Sequence, residues 1–351
     1  MTRITRREIL AGGAAIIGTA AAEEVIPISR AAVEVDKAEM IAPDVYFHEG
    51  NILQGHCNNG WIVFEDYVLV IDANFPSGAQ VVLPKIRAVT NKPIRFAFDT
   101  HHHGDHAYGN QVWNENGATP VAHTGVVEEM KRYETGHYGG KPGRWEETAA
   151  TRADVKASKL KPPSLLFPRE LIFDDGKRRV ELHHLGIAHT NGDAFAWLPK
   201  ERILFTGDAC VNGPYNFVGD GHIEKWIATL EAAKKLGARV ICPGHGPRDA
   251  ETLLGDQQAF FSALREKVGA LVRAKKSPEQ IRGSLEQIRA EIGANQRIKR
   301  YLAQGPGIVS FAGQAEKVLM EMTGKGFPAQ QKTAQNDRRQ HAHSHGLSIT
   351  A

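Results

Sequence analysis

Short apolar runs closed by turn residues alternate with longer stretches of helical spacing from about Val45 to His245. In "GWIVFEDYVLVIDAN" the pattern predicts a hairpin: strand Trp61–Phe64, turn Glu65-Asp66, strand Tyr67–Asp72. "SGAQVVLPKIRAVT" has helical spacing with Ser77 as N-cap, and "IRFAFDT" reads as a buried strand. "GATPVAHTGVVEEMKRY" gives a strand and then a helix. Strand and helix alternate again in "KRRVELHHLG", "ERILFTGDA", "HIEKWIATLEAAKKLG" and "ARVICPGHG". The predicted class is a layered α/β protein.

Four segments depart from this rhythm. Residues 1–22 place Arg6-Arg7 before an apolar run, Ile9 to Ala22, that is too short to span a bilayer. With Ala20 and Ala22 at a cleavage position, this is the layout of an export signal. The paired arginines resemble the twin-arginine signal, with Ile9 where that signal usually has Phe. The expected destination is therefore periplasmic or extracellular, with no stable membrane span once the signal is removed. Residues 136–165 are rich in Gly, Pro and basic side chains and read as a long irregular excursion, either a pocket wall favouring anions or a solvated loop. Residues 249–328 read as a helical extension that packs on the sheets or pairs two subunits, and 329–351 as a disordered tail. The tail's His341, His343 and His345 are read as solvated rather than as ligands.

The chain has 351 residues and a net charge of +3, enough for a large core and too little charge to point to nucleic acid. No basic stripe interleaved with aromatics is present either. Cys57, Cys210 and Cys242 are odd in number, so a disulfide framework does not organise the fold; buried small side chains are the expected fate, and one bridge remains open.

Chemistry concentrates in "DTHHHGDHAYG", which follows an apolar strand directly. Side chains two apart on an extended segment share a side, so His101 and His103 can face one metal ion together. Asp105 and His106 lie at the turn, within reach of a second ion. Three further pieces each follow a predicted strand: His189 and Asp193 in "GIAHTNGD", Asp208 in "LFTGDAC" and His245 in "ICPGHG". Imidazole and carboxylate are ligands that zinc accepts. Between the ligand positions, His102 should turn the other way, and His183 and His184 read as core or surface residues. Trp226 and Phe217 read as core, and Tyr215 is open either way.

This set resembles the metallo-β-lactamase-fold hydrolases over most of residues 45–248, through His101, His103, Asp105, His106, His189, Asp208, His245 and "VIDAN" around Asp72. The resemblance implies an αββα sandwich, here over 38–248, with metals at one edge of the two sheets. It implies that His101, His103 and His189 hold one zinc, that Asp105, His106 and His245 hold the other, and that Asp208 bridges them. Two such cations can share one hydroxide and stabilise attacking and leaving atoms together, with Asp105 passing the proton onward. Asp72 and Asp193 are candidates either to orient ligand imidazoles or to cap turns. "GDGHIEKW" resembles a segment of the zinc β-lactamases in which an Asn at the His222 position contacts substrate. In the subclass with a cysteine ligand, Cys stands where Asp208 is, and the lactam-gripping Lys three residues later is replaced here by Val211. The expectation is an exported dinuclear zinc hydrolase acting on a small ester, thioester, lactone or amide, β-lactams included. The alternatives are a mononuclear iron dioxygenase of the same fold and a non-catalytic metal-binding relative.

Overall fold

A computed structural model describes residues 38–134, 142–302 and 310–328; the export signal, part of the excursion and the histidine-bearing tail lie outside the described residues. One sheet begins with antiparallel strands β1 (Ala38–Ala42), β2 (Val45–His48), β3 (Asn59–Val63) and β4 (Val68–Ile71). The expected hairpin is β3–β4, closed by the Phe64 amide donating to the Tyr67 carbonyl at 2.8 Å. Helix α1 (Pro76–Val89) leads to β5 (Ile94–Asp99), which runs parallel to β4. Short helices α2 (Gly104–Ala107) and α3 (Asn110–Glu115) precede β6 (Thr119–His123), and α4 (Thr124–Tyr133) follows it. After α5 (Arg144–Thr151) and α6 (Ala153–Lys156), β7 (Leu165–Phe167) ends this seven-stranded sheet, whose strands lie in chain order.

The second sheet has six strands, again in chain order. They are β8 (Glu170–Asp174), β9 (Arg179–His183), β10 (Phe195–Leu198), β11 (Ile203–Gly207), β12 (Val240–Pro243) and β13 (Asp249–Ala250). Helix α7 (Ile223–Lys234) makes the crossover between the parallel pair β11 and β12. Helices α8 (Thr252–Arg273), α9 (Pro278–Gly283), α10 (Leu285–Gly293) and α11 (Phe311–Thr323) complete the chain's described part.

The period-two pattern explains the layering. Ile62, Leu69 and Phe98 face Leu182, Ala196 and Phe205 in a core between the two sheets. Their sequence neighbours Trp61, Val70 and Ala97 face outward onto Ala79, Val82 and Ile86 of α1. On the far side, Phe195, Leu204 and Ile241 pack with Trp226 of α7 and Phe261 and Leu264 of α8, joined by Val318 of α11. Strands buried on both faces read as continuous apolar runs, and here each face has its own helical layer. The architecture is an αββα sandwich. The C-terminal helices pack into its outer layer.

Two local expectations are corrected. Ser77 is not the cap of α1: Pro76 occupies the first helical turn, Phe75 takes the cap position with extended backbone, and the Ser77 hydroxyl donates to Asp154 at 2.6 Å. Proline is pre-set for the first turn and needs no capped amide. The excursion is irregular only in part where it is described: it forms α5 and α6 and then runs without regular structure over 157–164. These helices are seated by tertiary contacts: Trp145 packs on Tyr108 with centroids 4.7 Å apart, and Val155 is buried with Phe75 and Tyr108. Nor are its arginines free for an anion. Arg152 lies 3.8 Å from the Phe75 ring centre and pairs with Asp154, while Arg144 pairs with Asp220.

His123 joins β6 to α4 and supplies a pH-sensitive element. Its Nδ1 accepts the Gly125 amide at 3.2 Å and its Nε2–H donates to the Pro168 carbonyl at 3.0 Å. The ring stacks on His184 of the other sheet's edge, centroids 3.9 Å apart. Burial, then the neighbouring His184, lowers its pKa to about 4. In the unfolded chain the ring titrates near about 6.5. Between those values the unfolded state binds a proton that the folded state refuses, so stability is full above the higher value and is lost as pH falls through the lower. Urea unfolding of His123→Gln should therefore show a shallower loss of stability between these pH values than the wild type. An identical slope would remove His123 from the account.

Candidate metal centre

The candidate ligands sit where strands end at one edge of the sandwich. Beyond β5, Thr100 turns the chain and His101 and His103 follow, both buried, with Asp105 and His106 on α2. His189 lies in the link between β9 and β10, Asp208 directly follows β11, and His245 lies just beyond β12. Two glycines make the crowding feasible. A Cβ on Gly207 would lie 2.2 Å from the Thr100 hydroxyl, and one on Gly244 would lie 2.1 Å from an Asp208 oxygen.

Hydrogen bonds on the outer side of each imidazole fix what the inner side presents. The Thr100 hydroxyl donates to Asp72 Oδ1 at 2.8 Å, so its oxygen accepts from His101 Nδ1–H at 3.1 Å. His101 Nε2 then carries a lone pair, is buried, and has no hydrogen-bond partner among the described residues. His103 Nε2–H donates to Asp220 Oδ2 at 2.8 Å, and His189 Nδ1–H donates to the Phe217 carbonyl at 2.9 Å. The inner nitrogens, His103 Nδ1 and His189 Nε2, are therefore both acceptors when the rings are neutral, and they lie 2.8 Å apart. Burial, followed by the surrounding histidines, pushes the His101 pKa well below its usual value, which favours the neutral ring. One ligand atom from each of His101, His103 and His189 lies within 4.8 Å of the others. The partnerless buried acceptor His101 Nε2 costs about 1–3 kcal/mol, and His103 Nδ1 and His189 Nε2 turn two acceptors toward each other. A cation among them removes that cost, and the donor set fits one.

A second group adjoins the first. His106 Nδ1 lies 3.0 Å from Asp72 Oδ2, and its Nε2 lies 3.3 Å from Asp208 and 3.6 Å from Asp105. His245 Nε2 lies 3.0 Å from Asp105 and 3.5 Å from Asp208. Asp105, His106 and His245 form one cluster of potential ligands, and His101, His106 and Asp208 form another. Asp208 faces both groups, because Oδ2 is also 3.6 Å from His189 Nε2. Burial opposes ionisation of Asp208, yet His245, His106 and His189 hold its pKa below the usual carboxylate value. Burial likewise opposes charge on His245, and Asp208 and Asp105 raise it nonetheless.

The other expected residues separate on geometry. Asp72 orients imidazoles: one oxygen serves Thr100 and through it His101, and the other faces His106. It adopts a positive φ of 62° to do so. Asp193 caps a turn instead, accepting the Thr190 amide and hydroxyl, both at 2.8 Å. Burial raises its pKa to about 7. His222 stands at the start of α7 with Nδ1 3.4 Å from Glu321 of α11, outside both groups. His102 leaves the inner groups, stacks on Tyr133 and lies 3.9 Å from Asp220 in a cluster with His103, His183 pairs with Glu181, and all three cysteines are buried thiols. Trp226 is core, as expected. Phe217 is not core: it is half-buried, its ring centre lies 5.4 Å from His103 and its carbonyl holds His189.

Asp220 and Arg144 escaped the sequence reading. Arg144 grips both oxygens of Asp220, at 2.6 and 3.0 Å, while Asp220 accepts from His103. The signal lay in "GDGH", where attention fell on the histidine two residues further on. Cys57 also lies beside Asp72 and His106, but burial pushes its thiol up to about 12, so it stays protonated.

Asp72→Asn should weaken zinc binding about 10–100-fold, the usual loss when an imidazole's outer partner is removed. Asn tolerates the positive φ, so the backbone should hold. Asp193→Asn should lower the unfolding temperature with zinc affinity retained. Competition with a chromophoric chelator measures both, and equal affinity in Asp72→Asn would discard that role.

A model of the metallo-beta-lactamase superfamily matches residues 53–245, more than half of the chain. A metallo-beta-lactamase type 2 of Pseudomonas aeruginosa is 27% identical over 95 residues, which is 26% of this chain and 38% of that protein. The match thus spans well under half of that curated relative's length. Among solved structures, a metallo-beta-lactamase from Pontibacter korlensis superposes with a TM-score of 0.53 at 17% identity, covering 65% of this chain and 99% of that one. The DIM-1 metallo-beta-lactamase gives 0.51 at 19%, covering 65% and 97%. At such identities these structures speak for the fold. The family model, the sandwich and the paired His/Asp groups agree: this chain belongs to the metallo-beta-lactamase superfamily.

Proposed function

We propose that the chain is an exported dinuclear zinc hydrolase acting on a small ester, thioester, lactone or amide, β-lactams included. The observation that carries this reading is the pair of inward-facing acceptors, His103 Nδ1 and His189 Nε2, 2.8 Å apart beside His101. His101, His103 and His189 would hold one ion; Asp105, His106 and His245 would hold the other, with Asp208 shared. Such ions supply Lewis acidity toward a carbonyl oxygen and a water with a pKa of about 7.

The chain's own groups do the rest. Asp105 Oδ2 lies 3.0 Å from His245, and its side chain is 16% exposed against 8% for Asp208 and 3% for Asp72. It is the carboxylate best placed to take a proton from an attacking water and release it to a leaving group. Asp72 and Asp220 keep the ligand imidazoles aimed, and the Phe217 ring limits water beside His103 and His189. Val211 is fully buried and offers no cation for a substrate carboxylate. Arg144 is committed to Asp220. Neither favours an acidic substrate, so the range of scissile bonds is kept broad. The intact second group favours two ions over the single-iron alternative. Export rests on the arginine pair and apolar run of residues 1–22. Among the described residues no helix is long and apolar enough to cross a membrane.

The test is metal analysis of the purified chain with a panel of ester, thioester, lactone and lactam reporters. Two zinc ions per chain are expected, with turnover lost on chelation and regained on reloading. Asp208→Ala should lower turnover by more than about 100-fold, beyond the usual cost of an outer-partner loss. One iron per chain with oxygen uptake, or full hydrolysis by Asp208→Ala, would overturn the proposal.

A further inference from the structure

Helix α11 lies outside the residues matched by the family model, yet it is tied to the metal centre through one loop. Gln314 Nε2 donates to the Asn216 carbonyl at 3.0 Å, and Lys317 Nζ donates to the Gly219 carbonyl at 3.2 Å. The Glu321 carboxylate accepts the amides of Ile223 and Glu224, at 2.7 and 3.3 Å. Positions 314, 317 and 321 recur at helical spacing, so one face of α11 carries all three.

What the loop carries makes the arrangement significant. Phe217, whose carbonyl holds His189, lies between the anchors at Asn216 and Gly219. Asp220, whose carboxylate holds His103, lies between the anchors at Gly219 and Ile223. The outer partners of His103 and His189 are thus fastened on either side by α11, while Thr100, the outer partner of His101, is not. The second group depends on other residues, since His106 faces Asp72, and His245 faces Asp105 and Asp208. The joint with α11 is also sensitive to packing. Asn216 and Gln314 are fully buried, and both side-chain polar atoms of Asn216 and Oε1 of Gln314 have no hydrogen-bond partner among the described residues.

We propose that Gln314, Lys317 and Glu321 are positioning residues for the three-histidine group: by holding loop 216–224 they set the aim of His103 and His189, and so the metal affinity of that group alone. This rests on the metal reading given above. Imidazoles bind through a directed lone pair, so a ring swung by a displaced outer partner loses affinity even when the ligand itself is intact.

The test is zinc affinity of the full chain by chelator competition, with His101→Ala identifying which binding step belongs to the three-histidine group. In the double variant Gln314→Met with Lys317→Met, that step should weaken about 10-fold, at the low end of outer-partner losses, with the other step unchanged. Lys317→Arg should keep wild-type affinity. If the double variant does not fold, Lys317→Met alone, at a partly exposed position, carries the same comparison. Wild-type affinity in the variants with only a lower unfolding temperature would make α11 a brace and overturn the proposal, as would equal weakening of both steps. A wild-type chain that takes up no zinc would instead defeat the metal reading itself.

Discussion

Three imidazole lone pairs aimed at one point constitute the constraint around which this molecule is arranged. They are aimed because each ring's far nitrogen is spent: on Thr100 for His101, on Asp220 for His103 and on the Phe217 carbonyl for His189. Without those outer acceptors a buried imidazole could turn its N–H inward and relieve the conflict by itself. With them, the inner atoms are all acceptors, and only a positive species satisfies them together. Protein stability is only about 5–15 kcal/mol in total, so the partnerless His101 Nε2, at about 1–3 kcal/mol, and the facing acceptors of His103 and His189 weigh on the whole fold. Function and folding therefore meet at the same atoms.

The sandwich makes such a convergence possible. Parallel pairing of β4 with β5 and of β11 with β12 brings Asp72, the His101–His106 segment, Asp208 and His245 to the same edge from distant parts of the chain. The crossovers α1 and α7 are buried against the sheets' outer faces, so the strand ends cannot drift. The C-terminal helices add a second constraint on the β11 and β12 ends. Gln257 of α8 accepts the Val211 amide at 2.8 Å and donates to the Ala209 carbonyl at 3.3 Å. Arg300 donates to Asn212, whose amide donates to the His245 carbonyl at 2.9 Å. Loops that carry ligands are ordinarily the mobile part of a fold; here side chains from beyond β13 restrain them.

The histidines and aspartates that gather at this edge were legible in the sequence because each follows an apolar strand and stands beside small residues, a local signature. The layering was legible for the same kind of reason: Trp61, Val63 and Phe64, Ile62 alternate between two buried faces. What escaped depends on distance along the chain. His103 and Asp220 are separated by 117 positions, and Arg144 reaches Asp220 from 76 positions away. No periodicity encodes such a pairing. Helices α5 and α6 escaped because eight and four residues are too few to be stable without neighbours; Trp145 and Val155 hold them through tertiary contacts. Ser77 misled because a cap residue and a first-turn residue share the same preference for polar side chains, while Pro76 had already fixed the helix start.

Charge bears on the number of ions proposed above. Asp72, Asp105, Asp208 and Asp220 bring four carboxylates to the centre, all largely shielded from solvent, and Arg144 is the cation paired among them. With neutral imidazoles the balance is three negative charges in a buried volume, which is costly unless compensated. A single divalent cation in the three-histidine group would still leave Asp105 and Asp208 facing only the imidazoles of His106 and His245. His245 and His106 show the consequence, since both are drawn toward the charged form against their burial, His245 by Asp208 and Asp105, and His106 by Asp72, Asp105 and Asp208 around it. Protons on those rings are one remedy, but they occupy the nitrogens that a ligand needs. A second divalent cation would displace them and would leave the centre slightly positive, a balance suited to an anionic nucleophile. The carboxylate count thus favours the dinuclear proposal over a mononuclear one more strongly than the histidines alone.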